Sequence, residues 1–220
     1  MWFESVSTID LVLKGLLIGI VASAPMGPVG VLCIQRTLNK GRWYGFVTGL
    51  GAALSDIIYA LITGFGMSFV VEFIEDAHNM FYLQLIGSIM LMCFGVYTFR
   101  SNPAGSMRPA SPNKGTLVHN FVTAFLVTFS NPLIIFLFVA LFARFTFVVP
   151  DHLFQQSIGY ISIFFGALLW WFMLAYGINK IRSRFKVKEI FLINKIIGCV
   201  VCLAAVIGII ITFLGSHFNP

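Results

Sequence analysis

Ala24-Pro25-Met26-Gly27-Pro28-Val29-Gly30 interrupts the first apolar stretch of this chain, which runs from about Asp10 to Gln35. Two prolines and two glycines in a segment otherwise fit to cross a bilayer leave backbone groups without helical partners. Hydrocarbon cannot satisfy such groups. Broken backbone persists at that depth only where protein or a water-filled cavity covers it. Discontinuous helices of this kind build the substrate sites of secondary transporters, and the rest of the sequence is read outward from that break.

The 220 residues are 59% hydrophobic and 10% charged, with a mean hydropathy of +0.94. A soluble domain carries about 25% charged residues, so the composition predicts an all-α integral membrane protein. Six apolar stretches fall at roughly Asp10–Gln35, Tyr44–Val71, Phe81–Phe99, Leu117–Phe145, Leu153–Ile178 and Ile190–Leu214. Each meets the requirement of about 20 residues for a helical span. The first, second and fourth exceed a straight crossing, which predicts tilt, a kink or re-entry.

The net charge of +6 reads as a topology signal and lipid contact rather than a nucleic-acid surface. The loops after the first, third and fifth spans, with the adjoining helix ends, hold Arg36, Lys40, Arg42, Arg100, Arg108, Lys114, Lys180, Arg182, Arg184, Lys186, Lys188 and Lys195. The opposite side holds Lys14 and Arg144 beside Glu4, Asp10, Glu72, Glu75, Asp76 and Asp151. Twelve cations against two place the loop-rich basic side in the cytoplasm and both termini outside it. Nothing before Lys14 is basic and the first stretch is too long for a signal-peptide core, so no cleavable signal is expected. Cys33, Cys93, Cys199 and Cys202 lie in or beside apolar spans, where a disulfide scaffold is not expected.

Ser101–Thr116, rich in Ser, Pro, Gly and Asn, is the clear linker. It divides a single transmembrane domain, residues 1–220, into repeats at about 1–100 and 117–220 with three spans each. An odd number of spans per half inverts the second half relative to the first. The fourth span carries Ser130-Asn131-Pro132 midway, matching the break in the first. The predicted fold is therefore six transmembrane helices as two inverted three-helix repeats, with helices 1 and 4 broken near the midplane. The second span also shows a stripe of Gly41, Gly45, Gly49, Ala53, Ala60 and Gly64, and the first a shorter one of Gly15, Gly19 and Ala22. Such stripes let helices approach closely, within the bundle or across a homodimer seam.

Asp56 is the acid well inside a span. It lies thirteen residues after Trp43, about 20 Å along a helix. An aspartate at that depth costs about 2.5–3.5 kcal/mol, so it should face the bundle interior. Its candidate roles are carrying a coupling proton or binding a substrate amine; its structural alternative is a hydrogen bond to the broken first helix. Pro25, Gly27, Pro28 and Gly30 would supply half-helix ends whose free N–H groups favour a carboxylate. Asn131 and Pro132 would supply the second half of the site, with Thr128 and Ser130 in support. Gln35 and Arg36, at the cytoplasmic end of the first span, could guide substrate, but topology explains them. Lys14 should snorkel to the interface. Cys199-Val-Val-Cys202 has a redox spacing without a neighbouring base or metal ligand, and reads as packing. His78, His119, His152 and His217 form no metal-ligand pair in sequence. No nucleotide loop or nucleophile–base arrangement is present, so neither an enzyme nor a cofactor is expected.

The run Gly15–Asp56, with Pro25-Met26-Gly27-Pro28, Arg36, the glycine stripe and the in-membrane Asp56, resembles the lysine exporter (LysE/RhtB) family. So do the length, the six spans and Asn131-Pro132. The likeness is most specific over residues 11–66 and extends over 119–143. Two positions depart from it: Ser55 precedes the aspartate where many members have glycine, and Leu133 follows Asn-Pro where lysine is frequent. The resemblance implies an exporter of amino acids or related small metabolites in the bacterial inner membrane, using protons as the coupling ion and often dimeric. Gly27, Pro28, Asp56, Asn131 and Pro132 are the positions it carries over. A metal-cation exporter with Asp56 as ligand and a thiol–disulfide electron carrier are the alternatives on related scaffolds. They are separable by the response to divalent cations and by replacing all four cysteines.

Overall fold

The computed structural model describes residues 7–72, 77–101, 115–131, 133–149, 152–181, 183 and 188–217. Eight helices order the described residues: α1 (Thr8–Ser23), α2 (Pro28–Lys40), α3 (Arg42–Glu72), α4 (Ala77–Arg100), α5 (Leu117–Phe129), α6 (Leu133–Phe145), α7 (Leu153–Lys180) and α8 (Lys188–His217). Four of them are long and apolar enough to cross a membrane. Two bent pairs raise the number to six if each is one span: α1 with α2, bent by 80°, and α5 with α6, bent by 72°. Most of the predicted linker, residues 102–114, and Pro132 lie outside the described residues.

The first break follows from local chemistry. Helix α1 runs to Ala24, whose N–H still donates to the Ile20 carbonyl at 2.9 Å. Ala24 keeps helical backbone, with φ −65° and ψ −39°, but Pro25 has no N–H to continue the ladder. The Gly27 N–H turns back to the Pro25 carbonyl at 2.9 Å, and α2 opens with Val31 N–H on the Gly27 carbonyl at 3.1 Å. Pro28 occupies the first turn of α2, where its missing N–H costs nothing. At the second break, Ser130 N–H closes α5 on Leu126 at 2.9 Å, and the Asn131 side chain accepts from Leu133 N–H at 3.2 Å. Asn131 thus caps α6 as well as breaking the span.

Helix α3 is the centre of the bundle. The apolar middle of its span Arg42–Ser68 is 56% buried, against 22% for that of Met80–Arg100 in α4, so the rest of the chain leaves most of α4 uncovered. Both small-residue stripes are used inside the chain. A Cβ at Gly15 would meet Ser162 of α7, and one at Gly19 would collide with the Ile163 carbonyl of α7. Gly166 of α7 meets the Leu16 backbone in return. On α3, Gly45 faces Thr37 of α2, Gly49 faces Trp171 of α7, Gly51 faces Phe121 of α5 and Gly64 faces Tyr160 of α7. Gly41 is a different case. Its φ of 98° makes the single-residue turn between α2 and α3, a conformation that glycine adopts without strain.

Packing divides the bundle along its length. Leu11, Tyr59, Met67, Phe138, Phe142 and Phe147 form one buried cluster with α7, and the Phe142 and Phe147 rings stack with centroids 4.8 Å apart. Leu11 lies near the start of α1 and Met67 near the end of α3, so this plug sits at the end of the bundle away from Lys40, Arg42, Arg100 and Lys180. In the other half the core packs small residues, Cys33, Ala52, Ala53, Ala124 and Ala167, around Trp171. That asymmetry leaves room for a cavity.

Candidate functional site

A cavity of ≈390 Å³ lies where the two breaks approach each other. Pro25, Gly27, Pro28 and Gly30 line it from the first break, Thr128 and Asn131 from the second, and Asp56 from α3. It extends along α4 past Tyr97 and Thr98 to Ser101, the end of the bundle that carries most of the cations. All of the predicted site residues within the described chain meet in this one space; Pro132 is outside the described residues.

Asp56 is 6% exposed. One of its carboxylate oxygens accepts a hydrogen bond from Ser23 Oγ at 3.3 Å. Ser23 is the last residue of α1, so the acid of α3 is tied to the edge of the break. The bond is long for a hydroxyl donor, and it serves one oxygen of two. Among the described lining residues Asp56 is the only side chain with a formal charge, and no group of three His, Cys, Asp or Glu stands together there or elsewhere in the described chain.

The first break presents half-helix donors to this space. In α2, Val29 and Gly30 occupy the first turn, where an N–H has no intrahelical acceptor. These donors and the positive end of the helix dipole face an anion favourably. At the second break the freed Phe129 carbonyl is met by Tyr59 Oη of α3. Thr128 and Trp171 line the cavity, but their polar atoms, Thr128 Oγ1 and Trp171 Nε1, are buried away from it without a partner. Ser130 is taken by its own helix, its hydroxyl donating to the Leu126 carbonyl at 2.7 Å.

Asn194 of α8 is the residue that the sequence reading missed. Its amide grips Met26, in the centre of the break, on both sides: Oδ1 accepts from the Met26 N–H at 2.8 Å and Nδ2 donates to the Met26 carbonyl at 3.2 Å. At 1% exposed, this side chain supplies the partners that the bend takes from the Met26 N–H and carbonyl. A signal was present. Asn194 is the lone amide between Ile190 and Leu214, beside Lys195 in a stretch otherwise mostly apolar, and the insertion cost that singled out Asp56 applies to it in weaker form.

The remaining candidates fall outside the cavity. The Arg36 guanidinium donates to Thr48 Oγ1 at 3.0 Å, the Asn120 carbonyl at 2.9 Å and Thr123 Oγ1 at 2.6 Å, joining α2, α3 and α5. Lys14 pairs with Asp10 one turn earlier at 2.6 Å. Cys33 is buried and donates to the Gly45 carbonyl at 3.4 Å, while Cys93 and Cys199 are exposed on the surface of the bundle.

Comparison with known proteins agrees with this arrangement. Residues 20–212 match the family model described as "LysE type translocator". The chain is 27% identical over 176 residues to "Putative amino acid efflux protein YcgF" of Bacillus subtilis (strain 168), covering 79% of this chain and 83% of that protein. It is 23% identical over 162 residues to "Uncharacterized membrane protein YahN" of Escherichia coli (strain K12), covering 69% and 68%. No solved structure matches the chain. A multi-pass helical bundle with two bent pairs, a cavity at both bends and a family match over most of its length identify a membrane transporter, and the chain belongs to the LysE type translocator family.

Proposed function

We propose that this transporter is a six-span secondary exporter of amino acids or related small metabolites across the bacterial inner membrane, working by proton antiport. The observation that carries the reading is the meeting of Asp56 with both helix breaks in one cavity. An amino acid needs an anionic partner for its ammonium group and N–H donors for its carboxylate within a few ångströms. Asp56 offers the first, and the opening turn of α2 at Val29 and Gly30 offers the second. Asn131 orients the substrate between them. A carboxylate that stands without a second ligand of metal-binding type suits an ammonium group better than a metal ion.

The fold proposed is two inverted three-helix repeats, about 1–100 and 117–220, joined by 101–116. Reciprocal packing supports it: α1 lies on α7, α5 lies on α3, and α4 lies on α8. Each first half-helix rests on the second span of the other repeat. Both termini lie outside the cytoplasm in this reading, which makes the Ser101 end of the cavity its cytoplasmic mouth and the Phe138–Phe147 plug its outer seal. Substrate enters from the cytoplasm and pairs with Asp56. A proton arriving from the outer face neutralises the acid and releases the amine outward; loss of that proton to the cytoplasm resets the site.

The test is efflux of a labelled amino-acid panel from proteoliposomes under an imposed pH gradient, comparing the parent with Asp56→Asn. The variant should lose gradient-driven efflux by tenfold or more. Efflux of every substrate at the parental rate and with the parental pH dependence would remove Asp56 from the coupling role.

A further inference from the structure

We propose that the cavity selects amino acids whose side chain is uncharged, and excludes those with a cationic or acidic side chain. The inference rests on the amino-acid reading of the cavity above and adds the substrate class. It follows from the charge on the wall: among the described lining residues Asp56 alone carries a formal charge, the other polar side chains, such as Thr98, Ser101 and Asn131, are neutral, and Phe94, Val127, Leu133 and Leu137 are apolar.

Asp56 takes the ammonium, and the opening turn of α2, with the N–H groups of Val29 and Gly30, takes the carboxylate. Once the shared groups are placed, nothing charged remains for the side chain. A lysine ammonium would have no second acid, and a glutamate carboxylate would lie in the same small cavity as Asp56 with no cation on the described wall. Arg36, at the end of α2 nearest the mouth of the cavity, is held by Thr48, Asn120 and Thr123. At ≈390 Å³ the space is near the lower end of ligand pockets, about 300–1,000 Å³, which suits one amino acid rather than a peptide.

The experiment uses the full-length protein in proteoliposomes loaded with labelled L-leucine, L-lysine or L-glutamate under one imposed pH gradient, with and without Leu133→Glu. Leucine efflux should exceed that of lysine and glutamate by tenfold or more. In Leu133→Glu, which places a second carboxylate on the apolar wall, the lysine-to-leucine ratio should rise at least tenfold. Lysine or glutamate moving within threefold of leucine in the parent overturns the selectivity while leaving an amino-acid exporter. A ratio unchanged in Leu133→Glu, with leucine still carried, shows that this wall does not meet the side chain and overturns it too. Failure to move any of the three overturns the amino-acid reading itself.

Discussion

Replacing Asn194 tests whether one side chain holds the broken backbone of the first span in shape. Asn194→Ala removes two hydrogen bonds to Met26, at 2.8 and 3.2 Å, from a position that is 1% exposed. Each intramolecular hydrogen bond is worth about 0.5–1.5 kcal/mol net, and leaving a buried donor unmatched costs about 1–3 kcal/mol. The two bonds alone give about 1–3 kcal/mol, centred on about 2 kcal/mol. At about 1.4 kcal/mol per decade, opening of the break becomes about 30-fold more frequent. Hydrogen exchange of the detergent-purified protein reads this at the Met26 amide, in peptides spanning Ser23 to Val31. Asn194→Leu keeps most of the side-chain volume but forms neither bond, so it separates hydrogen bonding from packing. Both variants should raise exchange at the break by about the same factor while α7 changes little. Exchange at Met26 within twofold of the parent in both would refute the clamp, and a large effect in the alanine variant alone would assign it to packing.

Further expectations are independent of that result. Gly19→Leu puts a side chain against the Ile163 carbonyl and the Ala167 N–H of α7; overpacking should cost about 1–3 kcal/mol and lower the melting temperature in detergent. Gly66→Ala, whose Cβ meets nothing within 4 Å, should leave it within about 0.5 kcal/mol of the parent. Equal melting temperatures for the two would show that α1 and α7 are not in close contact. Tyr59→Phe removes the hydroxyl that satisfies the Phe129 carbonyl and should cost about 1 kcal/mol, with faster exchange at the second break and not at the first. Replacing Cys33, Cys93, Cys199 and Cys202 together with alanine should leave efflux unchanged; loss of transport with folding intact would restore the electron-carrier alternative. The pH dependence of efflux should flatten in Asp56→Asn, and an unaltered profile would place coupling elsewhere.

The spans were legible because hydrocarbon imposes one rule, an apolar run of sufficient length, and the observed helices follow the predicted stretches closely. Both breaks were legible for the same reason. Pro25 and Pro28 cannot extend a helical ladder, and Asn131 before a proline readily leaves it. Asp56 announced itself through the cost of its position. What was not legible was the identity of its neighbour. Ser23 is an ordinary hydroxyl in an apolar helix, and only the geometry of α1 against α3 brings it to the carboxylate. The glycine stripes foretold close approach but not with whom: Gly15 and Gly19 meet α7, on the far side of the linker, a pairing that local patterning cannot specify. Arg36 shows the same limit from the other side. Its place near the cation-rich end of α2 suited a topology signal, whereas its side chain braces three helices.

The Asn194 clamp spans 168 positions of the chain, and that distance bears on how the protein is made. Met26 leaves the ribosome early, with two prolines already forbidding it an ordinary helix, and its amide partner arrives only with the last span. Until then its N–H and carbonyl need substitute company, from water or from the insertion machinery, because lipid tails provide none. Maturation of the opening segment therefore waits for the closing one. A polypeptide cut short before α8 would carry an unhealed gap in its first helix, which marks such truncated products for the membrane's quality control.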